Sequence, residues 1–196
     1  SLLRGFSAPV KLSFPYSRDQ LLFLMGHDSD GFNRWDAGQT LAVDILMELA
    51  EKIRNQETLS LDQRLIDVFA SLLKNNELDK AMLGEMLTLP NVAFLIEQKT
   101  PAYVHALFSA REFAKSEIAK KLEADFLACY QANKLEGGYQ PNPADMAQRA
   151  LKNLCLDYLM ETGNSQYLEL AEAQFAESDN MTDQSAALNA LVRSGN

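Results

Sequence analysis

The stretch Asp28-Ser29-Asp30-Gly31-Phe32-Asn33-Arg34-Trp35-Asp36-Ala37-Gly38-Gln39-Thr40-Leu41 reads as a polar turn that opens a long amphipathic helix. Asn33 is placed as N-cap. Asp36 falls three positions later, where a carboxylate suits the exposed amides and the positive end of the helix dipole. From Arg34 to about Asn55 the residues Leu41, Ala42, Ile45, Leu46, Leu49 and Ile53 recur at three- and four-residue spacing. Asp44, Glu48, Glu51 and Lys52 fall on the other face, as in a helix with one wet side. Trp35, the only tryptophan, stands in the first turn. The cluster Asn33, Arg34, Trp35 and Asp36 is therefore expected to clamp the helix start, through an ion pair and packing on a neighbouring helix, or to meet a neighbouring domain.

The same grammar recurs outward from this helix. Ser17-Arg18-Asp19-Gln20 has the form of a capping box, followed by Leu21, Leu22, Leu24 and Met25. Ser60-Leu61-Asp62-Gln63 repeats it, with Leu61, Leu65, Val68, Phe69, Leu72 and Leu73 expected to point inward. A shorter helix is predicted from Asp79 to Leu87, stopped before Pro90, and one more turn from Asn91 to Ile96. Thr100-Pro101 is a start signal. No breaker occurs from there to Asn133, so one long helix or two abutting ones fill that span, with Val104, Leu107, Phe108, Ile118, Leu122, Phe126 and Leu127 keeping helical spacing. Gly137 to Pro143 is the most loop-like stretch. Asn142-Pro143 then opens a helix with Met146, Ala150, Leu151, Leu154, Cys155, Tyr158 and Leu159 inward, and Gly163 as its C-cap. A final pair runs over 165–177 and 182–192, the last capped by Asn180 or Thr182.

This amounts to about eight helices on short connections: an all-α fold of antiparallel hairpins stacked in HEAT or armadillo fashion. Asn33-x-x-Asp36 with Leu41 and Asn180-x-x-Asp183 with Leu188 share one internal spacing, as such repeats would. Residues 1–16 differ. Val10, Leu12 and Phe14 alternate with Lys11 and Ser13 between Pro9 and Pro15, which predicts a short extended arm ahead of a helical domain over 17–196.

The 196 residues include 27 acidic and 18 basic side chains, a net charge of −9. Such a surface repels phosphate backbones, so nucleic acid is not an expected partner. No apolar run approaches the roughly 20 residues of a membrane span, and no signal-peptide pattern is visible. Cys129 and Cys155, both inside helical patterns, read as buried reduced thiols, which suits a cytoplasmic protein. The chain begins at Ser1 rather than methionine, consistent with a piece of a longer protein.

No catalytic constellation is visible. The histidines, His27 and His105, are too far apart for a His-Glu-x-x-His helix. His27 suits a helix end and His105 a helix interior or surface. Asp28-x-Asp30 fails as a calcium loop, because glycine falls at position four and Gln39 stands where the bidentate glutamate belongs. Gly-x-Ser-x-Gly is missing, and Gly137-Gly138 is too short and too far from any strand to cradle phosphate.

Phe32-Asn33-Arg34-Trp35-Asp36-Ala37-Gly38-Gln39 resembles the start of the C-terminal helical domain of the bacterial aminopeptidase N family, zinc-dependent gluzincins. Ser1 to Val10 is similar to the last strand region of that family's β-sandwich domain. Arg149-Ala150-Leu151-Lys152-Asn153 and Asn180-Met181-Thr182-Asp183, with Ala186-Ala187-Leu188, resemble later helices, in the same order. The resemblance implies a non-catalytic piece, the sandwich end plus the first half of the helical domain, of an enzyme that removes N-terminal residues from peptides. The chain lacks both the two-histidine zinc helix and the family's Gly-x-Met-Glu-Asn segment. The resemblance therefore puts zinc in the parent's catalytic domain, and makes that domain, the β-sandwich and the peptide substrate the partners. It implies no catalytic, metal or cofactor residue here, and further helices beyond Asn196. A free-standing helical-repeat scaffold is the alternative that the acidic surface and hairpin pattern support.

Overall fold

A computed structural model describes residues 16–98, 101–135 and 137–195. The alternation expected around Val10 to Phe14, and the Thr100 start signal, lie outside the described residues. Within them the chain forms ten α-helices and no strand: α1 Arg18–His27, α2 Gly31–Arg54, α3 Gln63–Leu73, α4 Lys80–Leu87, α5 Val92–Gln98, α6 Val104–Lys121, α7 Glu123–Ala132, α8 Pro143–Met160, α9 Ser165–Glu177 and α10 Met181–Ser194. None is long and apolar enough to cross a membrane.

Several starts follow from local chemistry. Ser17 caps α1 with a complete capping box to Gln20. Asn142 caps α8, with Pro143 in the first turn, and Asn180 caps α10 through the Asp183 amide. Other starts differ from the sequence expectation. Asp62, not Ser60, accepts the Arg64 amide at the head of α3. Helix α6 begins at Val104 rather than Pro101. The Tyr103 ring lies 3.4 Å below the Arg54 guanidinium, and the Tyr103 carbonyl accepts the Leu107 amide. The span to Asn133 is two helices, parted at buried Leu122 with φ −116° and ψ 23°. Helix α8 ends at Met160, and Gly163, at φ +75°, makes the turn just beyond it.

The described residues form two compact units, one up to Val68 with Leu89–Arg111, the other Phe69–Thr88 with the chain from Glu112. In the first unit α1 and α2 pack as a hairpin across the three-residue turn 28–30. Leu21, Met25, Leu41, Ala42, Ile45, Leu46 and Leu49 are buried, as the spacing requires. The wet face of α2 is an ion network. Arg18 reaches Asp44 and Glu48, each at 2.6 Å, and Lys52 reaches Glu48 at 2.6 Å.

Lys52 and Arg18 hold the Glu48 carboxyl below its usual value, and Arg64 does the same for Asp62. A depressed folded-state carboxylate contributes stability above its unfolded pKa, near 4, and loses that contribution as pH falls through the folded value. The thermal midpoint is thus expected to hold flat near neutrality and to drop below about pH 4, with a shallower acid limb in Glu48→Gln. Circular dichroism melts across pH check this; an unchanged acid limb in the variant would contradict it.

In the second unit α7, α4 and α10 pack on α8, and α10 packs on α9. Two expectations about buried positions change, the first on α6, whose residues up to Arg111 belong to the first unit and whose remainder belongs to the second. Val104 and Phe108 on α6 are exposed, because the buried stripe of that helix runs through Ala106, Leu107, Ala110, Ala114, Ile118 and Ala119. Met146 and Ala150 on α8 are also exposed, and Arg149 and Lys152 are buried in their place. Their aliphatic stems pack inward, and each charged end meets a partner.

Candidate functional site

At the start of α2 the N-cap is Asp30, not Asn33: its carboxylate accepts the Phe32 and Asn33 amides at 2.9 and 3.2 Å. Asn33 lies a turn inside the helix, where its Nδ2 is buried without a hydrogen-bond partner among the described residues. The echo between Asn33-x-x-Asp36 and Asn180-x-x-Asp183 is therefore one of spelling, since only Asn180 caps. Arg34 Nε donates to the Met25 carbonyl at 2.9 Å, so α1 and α2 are tied through backbone. Trp35 is half-buried, with its ring 5.7 Å from that of Phe32, which is 67% exposed. Partial burial raises the Asp36 carboxyl above its usual value. Asp30→Ala is expected to cost about 1 kcal/mol and Asn33→Ala less, as measured by urea unfolding. A larger loss at Asn33 would return the cap to that residue.

The more connected polar cluster lies in the second unit. Lys152 Nζ meets Asp183 Oδ2 at 2.7 Å, and Asn153 Nδ2 donates to Asp183 Oδ1 at 2.8 Å. Gln174 donates to Asn153 Oδ1 and to the Asp183 carbonyl, and Tyr130 donates to Gln174 Oε1. Four helices, α7 to α10, thus share one buried network. Burial, with Asp183 and Glu177 nearby, pushes the Tyr130 phenol up to about 12. This cluster floors a cleft of about 290 Å³, rimmed by Lys134, Tyr139, Arg149 and Asp179. Arg149 donates to the Gln140 carbonyl and lies 4.7 Å from the centre of the Tyr139 ring. With its charged groups paired to one another, the cluster has the character of a structural tie.

A second cleft, of about 410 Å³, is lined by Lys74, Lys80, Asp125, Cys129 and Asn133 among others. Cys129 and Cys155 are both free thiols, the first half-buried and the second buried. Cys129 is thus less buried than its helical pattern suggests.

The donor set does not fit zinc. His27 is exposed, stacked on Phe23 at 4.8 Å, with Nδ1 3.2 Å from the Phe23 carbonyl oxygen. His105 is exposed on α6. Among the described residues no group of three or more His, Cys, Asp or Glu side chains is placed to hold a metal ion.

The family model described as a domain of unknown function (DUF3458_C), ARM repeats, matches residues 18–196. The chain belongs to this ARM-repeat family. Membership agrees with the all-α helical-repeat class expected from hairpin spacing. The chain is 36% identical over 192 residues to aminopeptidase N of Escherichia coli, covering 98% of this chain and 22% of that protein. Aminopeptidase N of Haemophilus influenzae is 33% identical over 98% of this chain, again 22% of the relative. A crystal structure of Legionella pneumophila aminopeptidase A in complex with aspartic acid superposes with a TM-score of 0.82 at 28% identity, over 97% of this chain and 23% of that one. The aminopeptidase N resemblance read from the Phe32–Gln39 segment is borne out, and this ARM-repeat chain is homologous to the C-terminal region of those relatives. It spans 22% of the length of the curated relatives it matches.

One feature escaped sequence reading. Lys152 and Asp183, which pair across α8 and α10, lie 31 residues apart in the chain, and a buried lysine at an apolar-looking register gives no periodic signal.

Proposed function

We propose that this chain is a non-catalytic helical domain of a zinc-dependent aminopeptidase, helping to cover the chamber in which the rest of the protein removes N-terminal residues from peptides. The observation that carries this is the identity of 31 to 36% to aminopeptidase N over nearly the whole chain. The absence of a His-Glu-x-x-His motif supports locating zinc and hydrolysis in other parts of the longer protein. The last hairpin exposes Leu168, Phe175, Met181, Leu188 and Val192. That face suits coverage by further helices of the longer protein. The Phe32–Trp35 pair at the head of α2 suits contact with a neighbouring domain. The free thiols fit a cytoplasmic setting.

The test uses the full-length protein and the present chain side by side on an aminoacyl fluorogenic substrate. Full-length protein is expected to turn over, to lose activity to a chelator and to regain it with zinc, while the chain alone stays inert. Zinc-tracking turnover by the chain alone, or none by the full-length protein, would overturn the proposal.

A further inference from the structure

The cleft of about 290 Å³ above the α7 to α10 network holds a charge that the network leaves aside. On its floor Lys152 and Asp183 cancel each other at 2.7 Å. Arg149, on α8, lines the same cleft and is only 3% exposed. A charge so buried is ordinarily matched by an opposite one, yet Arg149 makes no ion pair among the described residues. Its one hydrogen bond runs from Nη2 to the Gln140 carbonyl at 2.9 Å, and its guanidinium lies 4.7 Å from the centre of the Tyr139 ring. None of its nitrogens is enclosed without a partner, so the N–H groups that make no bond are open to the cleft. Carbonyl and ring thus fix the guanidinium while leaving donors for a planar acceptor such as a carboxylate.

The rest of the lining sets the charge of what fits. Lys134 Nζ has an aromatic face rather than a carboxylate for company, 5.4 Å from the centre of the Tyr130 ring. Two carboxylates stand in the same cleft. Asp179 accepts the Tyr139 amide at 2.8 Å and the Asn180 side chain at 3.2 Å, and Glu177 ends α9. Leu170 and Ala173 add apolar wall. A dianion such as phosphate would meet Glu177 and Asp179 as well as Arg149, which counts against it. The volume, small for a ligand site, suits a compact molecule that carries both signs. We propose that this cleft binds a free amino acid or dipeptide as its zwitterion, the α-carboxylate on Arg149 beside Lys134 and the ammonium toward Glu177 and Asp179. An apolar side chain then lies against Leu170 and Ala173.

The 196-residue chain contains no His-Glu-x-x-His segment, so an amino acid that binds it does so away from any such zinc helix. Isothermal titration calorimetry at neutral pH compares L-leucine and L-alanyl-L-leucine with L-leucinamide, N-acetyl-L-leucine and inorganic phosphate. Saturable one-site binding of leucine or the dipeptide is expected, the tighter of the two showing which the cleft prefers. Leucinamide and N-acetyl-leucine are each expected to bind about tenfold more weakly or worse, the loss of one charge-assisted contact. Arg149→Lys keeps the charge but not the fork, and is expected to weaken leucine binding about tenfold. Lys134→Ala, at an exposed position, is expected to weaken it less. Absence of saturable heat with both leucine and the dipeptide overturns the proposal in the unaltered chain, without reliance on a variant. Leucinamide, N-acetyl-leucine or phosphate binding as tightly as leucine overturns it equally, as does full affinity in both variants.

Discussion

Replacing Asp183 with alanine is expected to destabilise the second unit by about 3–5 kcal/mol, the usual cost of stranding one member of a buried ion pair. The Lys152 and Asp183 side chains are only 9% and 8% exposed. Losing the carboxylate leaves a largely buried ammonium without its partner. It also removes the acceptor of Asn153 Nδ2, and so loosens the chain of bonds through Gln174 to Tyr130. Chemical unfolding monitored by circular dichroism supplies the measurement. The double variant Lys152→Met with Asp183→Leu is expected to recover most of the loss, because an apolar pair of similar volume removes both the attraction and the desolvation cost. The partly exposed pair Arg193–Asp157 sets the scale, with an expected effect below about 1 kcal/mol. A loss that small at Asp183 would mean that the network does not tie the helices together.

Phe126→Ala is the second large effect, at about 3–5 kcal/mol. Phe126 is 0% exposed and stacks on Tyr158 with ring centroids 4.4 Å apart and planes 12° off parallel. The edge of Phe69 closes the other approach at 6.4 Å. Tyr158 cannot swing into the space left behind, since its hydroxyl donates to the Leu87 carbonyl at 2.7 Å and fixes the ring from the far end. The cavity term is therefore paid nearly in full. Phe126→Leu, which keeps much of the volume, is expected to recover over half of the loss in the same unfolding experiment. Equal losses from leucine and alanine would show that ring stacking, rather than filled space, is what matters at this position.

Much of the fold was legible because helix starts are written locally. Ser17, Asn142 and Asn180 each cap where hydroxyl or amide chemistry puts them, and the Leu41 to Leu49 stripe is buried as its period demands. The reading failed where several caps compete. Around Asp30, Asn33 and Asp36 each side chain could accept amides, and the earlier one wins by serving two of them. It failed again where burial is carried by alanine or by paired charge, as along α6 and at Arg149 and Lys152, because periodicity counts large apolar residues.

Ala114, Ala119, Ala171 and Ala187 are each 0% exposed, so α6, α9 and α10 each bury a single methyl group at positions with no room left at the surface. A surface of this kind has no slack. Any larger residue must push two rigid rods apart instead of folding into a gap, whereas exchange for glycine or serine costs little volume. Natural drift in this half of the domain should accordingly be lopsided, narrow along the alanine seams and wide on the faces that turn outward.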